Sequence, residues 1–291
     1  MGNLRTSLFC TAAVFIVVFV FGGSNSAPTA LRVMTFNIRL DSPNDGANIW
    51  KNRRENLVSM IRFHNADLVG LQEAQKHQID FMMQLLPEYG WFGVGRDDGK
   101  QQGEFSAILY RKERFDTLTT STFWCSQTPE QPGKGWDAAY QRIVTFGKMM
   151  DKRTTTVFYL FNTHLDNEGK VARAESAKLI KKKMQSVCGT YPVILTGDFN
   201  SEPNSEPYKI ITASNTGDAL QLVDTRTISK NTPHGPKGTF TGFDITARPS
   251  APIDFVFVKK GMSVLSHGTL SDSFNGFLPS DHYPVIAEII Y

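Results

Sequence analysis

The stretch TGDFNSEPNS, Thr196 to Ser205, runs straight out of the apolar residues Val193, Ile194 and Leu195, and its reading decides the fold. Side chains alternate faces along a strand, so Asp198 and Asn200 project one way while Phe199 turns back to the core. A carboxylate and an amide on one face at a strand end suit a hydrated phosphate or a divalent ion. Taken alone, the string reads equally well as a turn, because Asp, Asn, Ser and Pro start turns through their own backbone hydrogen bonds.

The same arrangement recurs along the chain. LRVMTFNIR delivers Asn37 from an alternating strand, and ADLVGLQEA delivers Glu73 at the end of an apolar run. VFYLFNTHLDN delivers His164, with Asn162 and Asp166 on the same face. APIDFVFV sets Asp254 at a strand entrance, and PSDHYPVIAEIIY sets Asp281 and His282 immediately before the last strand. Each alone is accounted for by a capped strand or a satisfied surface group. Their repetition beside separate apolar β runs argues against independent accidents.

In order, TFN, LQE, NTH, GDFN, IDFVFV and SDHYPV resemble the endonuclease/exonuclease/phosphatase superfamily, the deoxyribonuclease I-like group. The match extends from about Leu31 to Tyr291 and is closer to its secreted or bacterial-type members. The resemblance implies an α/β fold, a four-layer sandwich of two stacked, mainly antiparallel mixed sheets flanked by helices. It also implies a metal-dependent phosphoesterase, with Asn37, Glu73 and Asp281 as ligands of Mg²⁺ or Mn²⁺, since hard oxygen donors suit those ions. Asp198 and Asn200 are then expected to position and polarise the attacking water. Asp254 is expected to orient His282, His164 to contact the phosphate, and Glu104 in GEFSAILY to pair with His164. The superfamily shares this centre across several phosphoesters, so the resemblance says less about substrate than about chemistry.

Length and composition agree. A chain of 291 residues, 41% hydrophobic, can bury one large core. Neither an internal repeat nor a heptad run is evident, and no stable protein partner is inferred, so a monomer is expected. The formal charge of +3 neither demands nor excludes nucleic acid as a partner. Residues 1–26 read as a signal peptide: Arg5, an apolar stretch from Leu8 to Phe21, then GGSNSA. At about 1.5 Å per helical residue that stretch is too short for a hydrocarbon core of about 30 Å. A secreted protein with a domain over residues 27–291 is expected, an uncleaved signal anchor being the alternative. Cys125 and Cys188 would remain, and they could pair in an oxidising compartment.

Helices are expected over residues 52–64, 75–86 and 168–187, the last with Lys181, Lys182 and Lys183 on a solvated face. Residues 105–124 read as an antiparallel strand pair joined by RKERF, and residues 140–149 with 155–164 as another. His64, His77 and His267 read as structural or surface histidines; His234, in the loop with Thr239 and Thr241, could border the site. The string FWCSQTPEQPGKGWDAAYQRIVTF, Phe123 to Phe146, places Trp124, Trp136 and Arg142 where paired aromatics and an arginine could wall a ring and its phosphate.

The leading functional expectation is a nuclease, a phosphodiesterase acting on nucleic acid, with NTHLDN and LQE resembling 3′ to 5′ exoribonucleases. The alternatives are a phosphatase or phosphodiesterase for small or lipid-linked phosphates, such as inositol phosphates or sphingomyelin, or a catalytically silent binding protein. The intact Asn37, Glu73, Asp198, Asn200, Asp254 and His282 argue against the last.

Overall fold

The computed structural model describes residues 1–2, 30–214 and 220–291. Beyond its first two residues, the expected signal segment lies outside the described residues. The elements run β1 (Leu31–Asn37), α1 (Trp50–Phe63), β2 (Leu68–Gln72), α2 (Lys76–Leu85), β3 (Tyr89–Phe92), β4 (Ile108–Arg111), β5 (Phe115–Trp124), β6 (Ile143–Asp151), β7 (Thr156–His164), α3 (Lys170–Cys188), β8 (Val193–Asp198), α4 (Glu206–Thr212), β9 (Leu222–Asp224), α5 (Thr225–Ile228), β10 (Asp254–Lys259), β11 (Ser263–Thr269) and β12 (Val285–Ile290).

Two six-stranded sheets form, ordered β11-β12-β1-β2-β4-β3 and β5-β6-β7-β8-β10-β9. In the first only β1 and β2 run parallel, and in the second only β7 and β8; both pairs sit at the middle of their sheets. Strand alternation sorts the apolar residues into three cores. Leu31 and Val33 of β1 face Ile194 and Val256 between the sheets. Met34 and Phe36 turn outward onto Leu57 and Ile61 of α1 and Ile79 and Met82 of α2. Val193 and Leu195 turn outward onto Ala177, Ile180 and Met184 of α3. Helix, sheet, sheet and helix therefore make the four layers.

A parallel pair needs a crossover, and α1 and α3 supply the two. Both parallel pairs consequently end at the same edge of the sandwich, where the polar residues emerge. The sheets approach closely at Gly70 of β2, where a Cβ would lie 2.3 Å from Thr196 Oγ1 and 2.5 Å from Asn162 Oδ1. Asn162 therefore ties the sheets together: its Oδ1 accepts from Gln72 Nε2 at 2.7 Å and from Thr196 Oγ1 at 3.0 Å.

Several expectations change. Residues 105–124 contain two strands, but β4 pairs with β2 and β3 while β5 pairs with β6, so RKERF passes from one sheet to the other instead of closing a hairpin. The pair β6 and β7 is antiparallel, as the pattern implied. Lys181 is not solvated: it is 8% exposed and its Nζ donates to the carbonyl of Ala213 at 2.6 Å, tying α3 to the end of α4. Cys125 and Cys188 are both buried as free thiols. Among the described residues, no helix is long and apolar enough to cross a membrane.

Candidate active site

Sheet register builds the site. Asp198, the last residue of β8, lies on one rung with His164 of parallel β7 and with Asp254 of antiparallel β10. Asn37 and Gln72 end β1 and β2 on a rung of their own, so Glu73 follows beside Asn37. Three residues here hold positive φ: Arg39 at 56°, Glu73 at 59° and Asn200 at 45°. Non-glycine residues in that region cost about 1 to 3 kcal/mol each, and such strain persists where surrounding contacts over-determine it. Here carboxylates fix the backbone. The amide N–H of Leu40 donates to Glu73 Oε2 at 3.2 Å, and that of Asn200 to Asp198 Oδ1 at 2.8 Å.

Asp198 occupies the centre. Asn37 Nδ2 donates to its Oδ2 at 2.9 Å and to Glu73 Oε1 at 3.0 Å. His164 Nε2 lies 3.6 Å from the same oxygen and His282 Nε2 lies 3.8 Å from it. Burial, with the Asp254 carboxylate directly opposite, pushes the Asp198 carboxyl up to about 7. Burial alone would depress His282, but Asp254 and Asp198 outweigh it and raise the imidazole to about 10. Asp254 Oδ2 bonds His282 Nδ1 at 2.9 Å, which fixes the ring with Nε2 toward Asp198.

His164 takes the opposite electrostatic course. Burial, then the nearby Arg142, Arg96 and His282 charges, hold it well below the ordinary histidine range, so it is neutral. Asn200 Nδ2 donates to its Nε2 at 3.0 Å, which leaves the proton on Nδ1. That buried Nδ1 has no hydrogen-bond partner. Glu104 is 3.9 Å from it, beyond a hydrogen bond, and instead meets Arg96 at 2.7 Å. The expected Glu104 and His164 pair is thus replaced by a Glu104 and Arg96 ion pair.

A cleft of about 390 Å³ opens over Asp198. Arg39, Arg96 and Arg142 line it together with Tyr140 and Phe240. Arg39 bonds Asp45 and reaches both Glu73 and Asp281 at 3.8 Å. Arg142 is 5% exposed; Asp166 and Asn167 take two of its nitrogens, while Nη1 is buried without a partner. The guanidinium thus brings a buried positive charge to the cleft wall, where an anion is favoured.

Ten of the twelve residues singled out in the sequence converge here. Trp124 and Trp136 do not. The Trp124 ring is 5% exposed, its Nε1 donates to the carbonyl of Arg96 at 2.7 Å, and its edge would meet a Cβ at Gly99 at 3.1 Å. It props the loop that carries Arg96 and is not a wall of the cleft. Trp136 is half-buried at positive φ outside the cleft, so the aromatic walls are Tyr140 and Phe240. Thr239 and Thr241 turn inward: their hydroxyls bind the backbone of Asp254 and of Asp281. His234 is exposed and outside the cleft. Arg39, Arg96, Tyr140 and Phe240 escape a reading of strand ends because all four come from loops. Nearness to residues already singled out could have marked three of them: Arg39 follows Asn37 by two, Tyr140 precedes Arg142 by two, and Phe240 lies between Thr239 and Thr241.

For a cation, the donors are hard oxygens from Glu73, Asp281 and Asp198, with Asp254 Oδ1 buried and unpartnered. Among the described residues, Asp198, Asp254 and His282 offer ligand atoms within 4.8 Å of one another and could hold an ion. The donor chemistry fits a divalent metal.

Comparison with known proteins agrees with this geometry. A structure from Bacteroides thetaiotaomicron of an endonuclease/exonuclease/phosphatase family protein superposes with a TM-score of 0.85, at 37% identity, covering 91% of this chain and 98% of that one. A mannosyl-6-phosphatase from the same organism superposes with a TM-score of 0.83, at 37% identity, covering 90% of this chain and 100% of that one. A probable RNA exonuclease of Saccharomyces cerevisiae is 26% identical over 201 residues, 62% of this chain and 40% of that protein. The matches to curated relatives span from 60% down to 30% of those proteins' lengths. The profile of the Endonuclease/Exonuclease/phosphatase family matches residues 34–282, and the chain belongs to that family.

Proposed function

We propose that this protein hydrolyses phosphate monoesters of small hydroxylated molecules of the sugar-phosphate class, with Mg²⁺ or Mn²⁺ held by Glu73, Asn37 and Asp281. The observation that carries the reading is the compact cleft of about 390 Å³ over Asp198, where Arg39, Arg96 and Arg142 meet between Glu73 and Glu104: it suits one anion better than the extended basic track that a polymer needs. The mannosyl-6-phosphatase, alike over nine-tenths of this chain, supports the same class.

A bound divalent ion would neutralise charge on the phosphate and stabilise the leaving oxygen. The protein's own groups do the rest. Arg142, on the cleft wall, would seat the nonbridging oxygens, and Asn200 holds the His164 ring through Nε2. Asp198 orients the attacking water and takes its proton. His282, held by Asp254, presents Nε2–H to the phosphoryl group, where developing negative charge strengthens the bond. The His282, Asp254 and Asp198 set is the competing cation site; the Asp254 bond to His282 Nδ1 already ties two of its members to each other, which favours the set around Glu73.

A nuclease is the second reading, supported by the likeness to the yeast RNA exonuclease. The deciding assay measures phosphate release from mannose 6-phosphate and glucose 6-phosphate, and cleavage of short RNA and DNA, each with Mg²⁺, with Mn²⁺ and with EDTA. Phosphate release that EDTA abolishes supports the proposal; cleavage of RNA or DNA without monoester hydrolysis overturns it. We further propose secretion through residues 1–26. N-terminal sequencing of the exported protein should begin near Ala27, and recovery of Met1 from membranes would favour an anchor.

A further inference from the structure

A second groove, of about 420 Å³, lies beside the catalytic cleft between the start of α1 and the loop before Asp281. Its walls differ in kind from the cleft's. Asn48, Asn52 and Asn56 are spaced four apart, so they stack along one face of the helix and its entry turn. Across from them the loop of Phe274, Asn275 and Phe277 forms the other wall, closed on itself by reciprocal backbone bonds between Phe274 and Phe277. Phe277, at the loop tip, is 54% exposed.

The charge of the groove is already spent. Its one ionic residue, Arg53, is 3% exposed, and its nitrogens donate to the backbone carbonyls of Ile38, Arg39, Leu40, Asn48 and Pro279. What remains for a ligand is neutral: carboxamides, each able both to donate and to accept, and aromatic faces. Asn52 Nδ2 is engaged by the carbonyl of Ala47, while the side chains of Asn56 and Asn275 make no hydrogen bond among the described residues. Paired donor and acceptor atoms match vicinal hydroxyls, and a phenyl face covers the C–H face of a pyranose ring.

Leu278, on the groove, precedes Asp281 by three residues, so the two Cα atoms are at most about 11 Å apart even if the chain is fully extended. Aromatic rings flank the way between them: Phe243 lies over Arg53, a residue of the groove, at 5.6 Å, and Phe240 meets His282 at 5.1 Å inside the cleft. We infer that the groove of Asn48, Asn52, Asn56, Asn275 and Phe277 binds the neutral oligosaccharide portion of a phosphorylated glycan whose phosphate end enters the cleft at Asp198. This deepens the sugar-phosphate reading and rests on it.

The test separates the two. Kinetics compare mannose 6-phosphate with mannotriose bearing a terminal 6-phosphate, and calorimetry measures binding of unphosphorylated mannotriose. Asn56→Ala and Phe277→Ala change exposed or half-buried side chains and leave the backbone bonds of the loop in place. Each should raise KM for the phosphorylated trisaccharide about tenfold, the equivalent of about 1.4 kcal/mol, and weaken mannotriose binding alike, with kcat and the values for mannose 6-phosphate unchanged. Hydrolysis of mannose 6-phosphate with no preference for the trisaccharide and no mannotriose binding overturns the groove while sparing the phosphatase. Mannotriose binding that the two variants weaken, in a protein that hydrolyses neither ester, upholds the groove and overturns the phosphatase.

Discussion

At the scale of single residues, Asp198 concentrates the consequences. Its carboxylate is met by Asn37 and lies within 3.8 Å of both His164 and His282. Replacing it by Asn keeps size and burial but removes the base, so Asp198→Asn should lower kcat by about a hundred- to ten-thousandfold, the ordinary worth of a positioned acid or base. Thermal denaturation should show the fold retained; near-normal turnover would remove Asp198 from its assigned role. Arg142→Lys makes a different prediction. A lysine cannot hold both Asp166 and Asn167 and still spread its charge along the cleft wall as a guanidinium does, so KM for the phosphoester should rise more than kcat falls. Equal loss in both would mean that Arg142 holds its loop and does not seat the phosphate. The residues legible in the sequence are those delivered by strands, because alternation and an abrupt polar end announce Asn37, His164, Asp198 and Asp254. Arg96 and Tyr140 came from loops whose paths depend on remote packing, and Trp124 shows the converse error: an aromatic beside a promising motif that tertiary contacts bury under another loop.

At the scale of elements, the sequence pattern announced most strands and helices, and the pairing of β6 with β7, but not the partners of β4 and β5. Nothing in RKERF distinguishes a hairpin from a passage between sheets, since both need a polar turn. Lys181 shows how a helical lysine leaves the solvated face when a neighbouring helix presents open carbonyls at its C-terminus. A testable case is the packing of α5 on β11. His267 Nδ1 bonds Thr225 Oγ1 at 2.9 Å, and burial, assisted by the Arg226 charge, depresses the imidazole to about 3. The unfolded chain titrates near the ordinary value of about 6.5. A folded value below the unfolded one means that stability is complete above about pH 6.5 and is lost as pH falls toward the folded value, because only the unfolded state then takes up the proton. His267→Gln should therefore flatten the acid limb of stability by up to about 1.4 kcal/mol per pH unit between about pH 6 and pH 4. Urea denaturation across that range measures it, and parallel pH profiles for the two proteins would refute it. Gly70→Ala should also destabilise, by about 1 to 3 kcal/mol through overpacking, since its Cβ would meet Thr196 Oγ1 at 2.3 Å.

At the scale of the whole molecule, two sheets must keep their alignment if Asn37 and Glu73 from one are to meet Asp198 and His164 from the other. The polar contacts around Asn162 fix the end near the site, and Arg114 fixes the opposite end. Its side chain is 1% exposed; Nη1 donates to Asp67 at 2.7 Å and to the carbonyl of Ala30 at 3.0 Å, while Nη2 donates to Asp151 at 2.8 Å. Asp67 leads into β2 of the first sheet and Asp151 ends β6 of the second, so one guanidinium clamps both. Removing it leaves two carboxylates with little water and no counter-charge, whereas a buried pair broken on one side costs about 3 to 5 kcal/mol. Arg114→Met preserves the aliphatic volume and should lower unfolding stability by that amount. Because the clamp stands at the end of the sandwich away from the cleft, KM should stay unchanged while the fold persists. Restoring charge balance tests the cause: adding Asp67→Asn and Asp151→Asn to Arg114→Met should recover much of the loss. If the triple variant is no more stable than Arg114→Met, the penalty comes from lost packing and not from stranded charge.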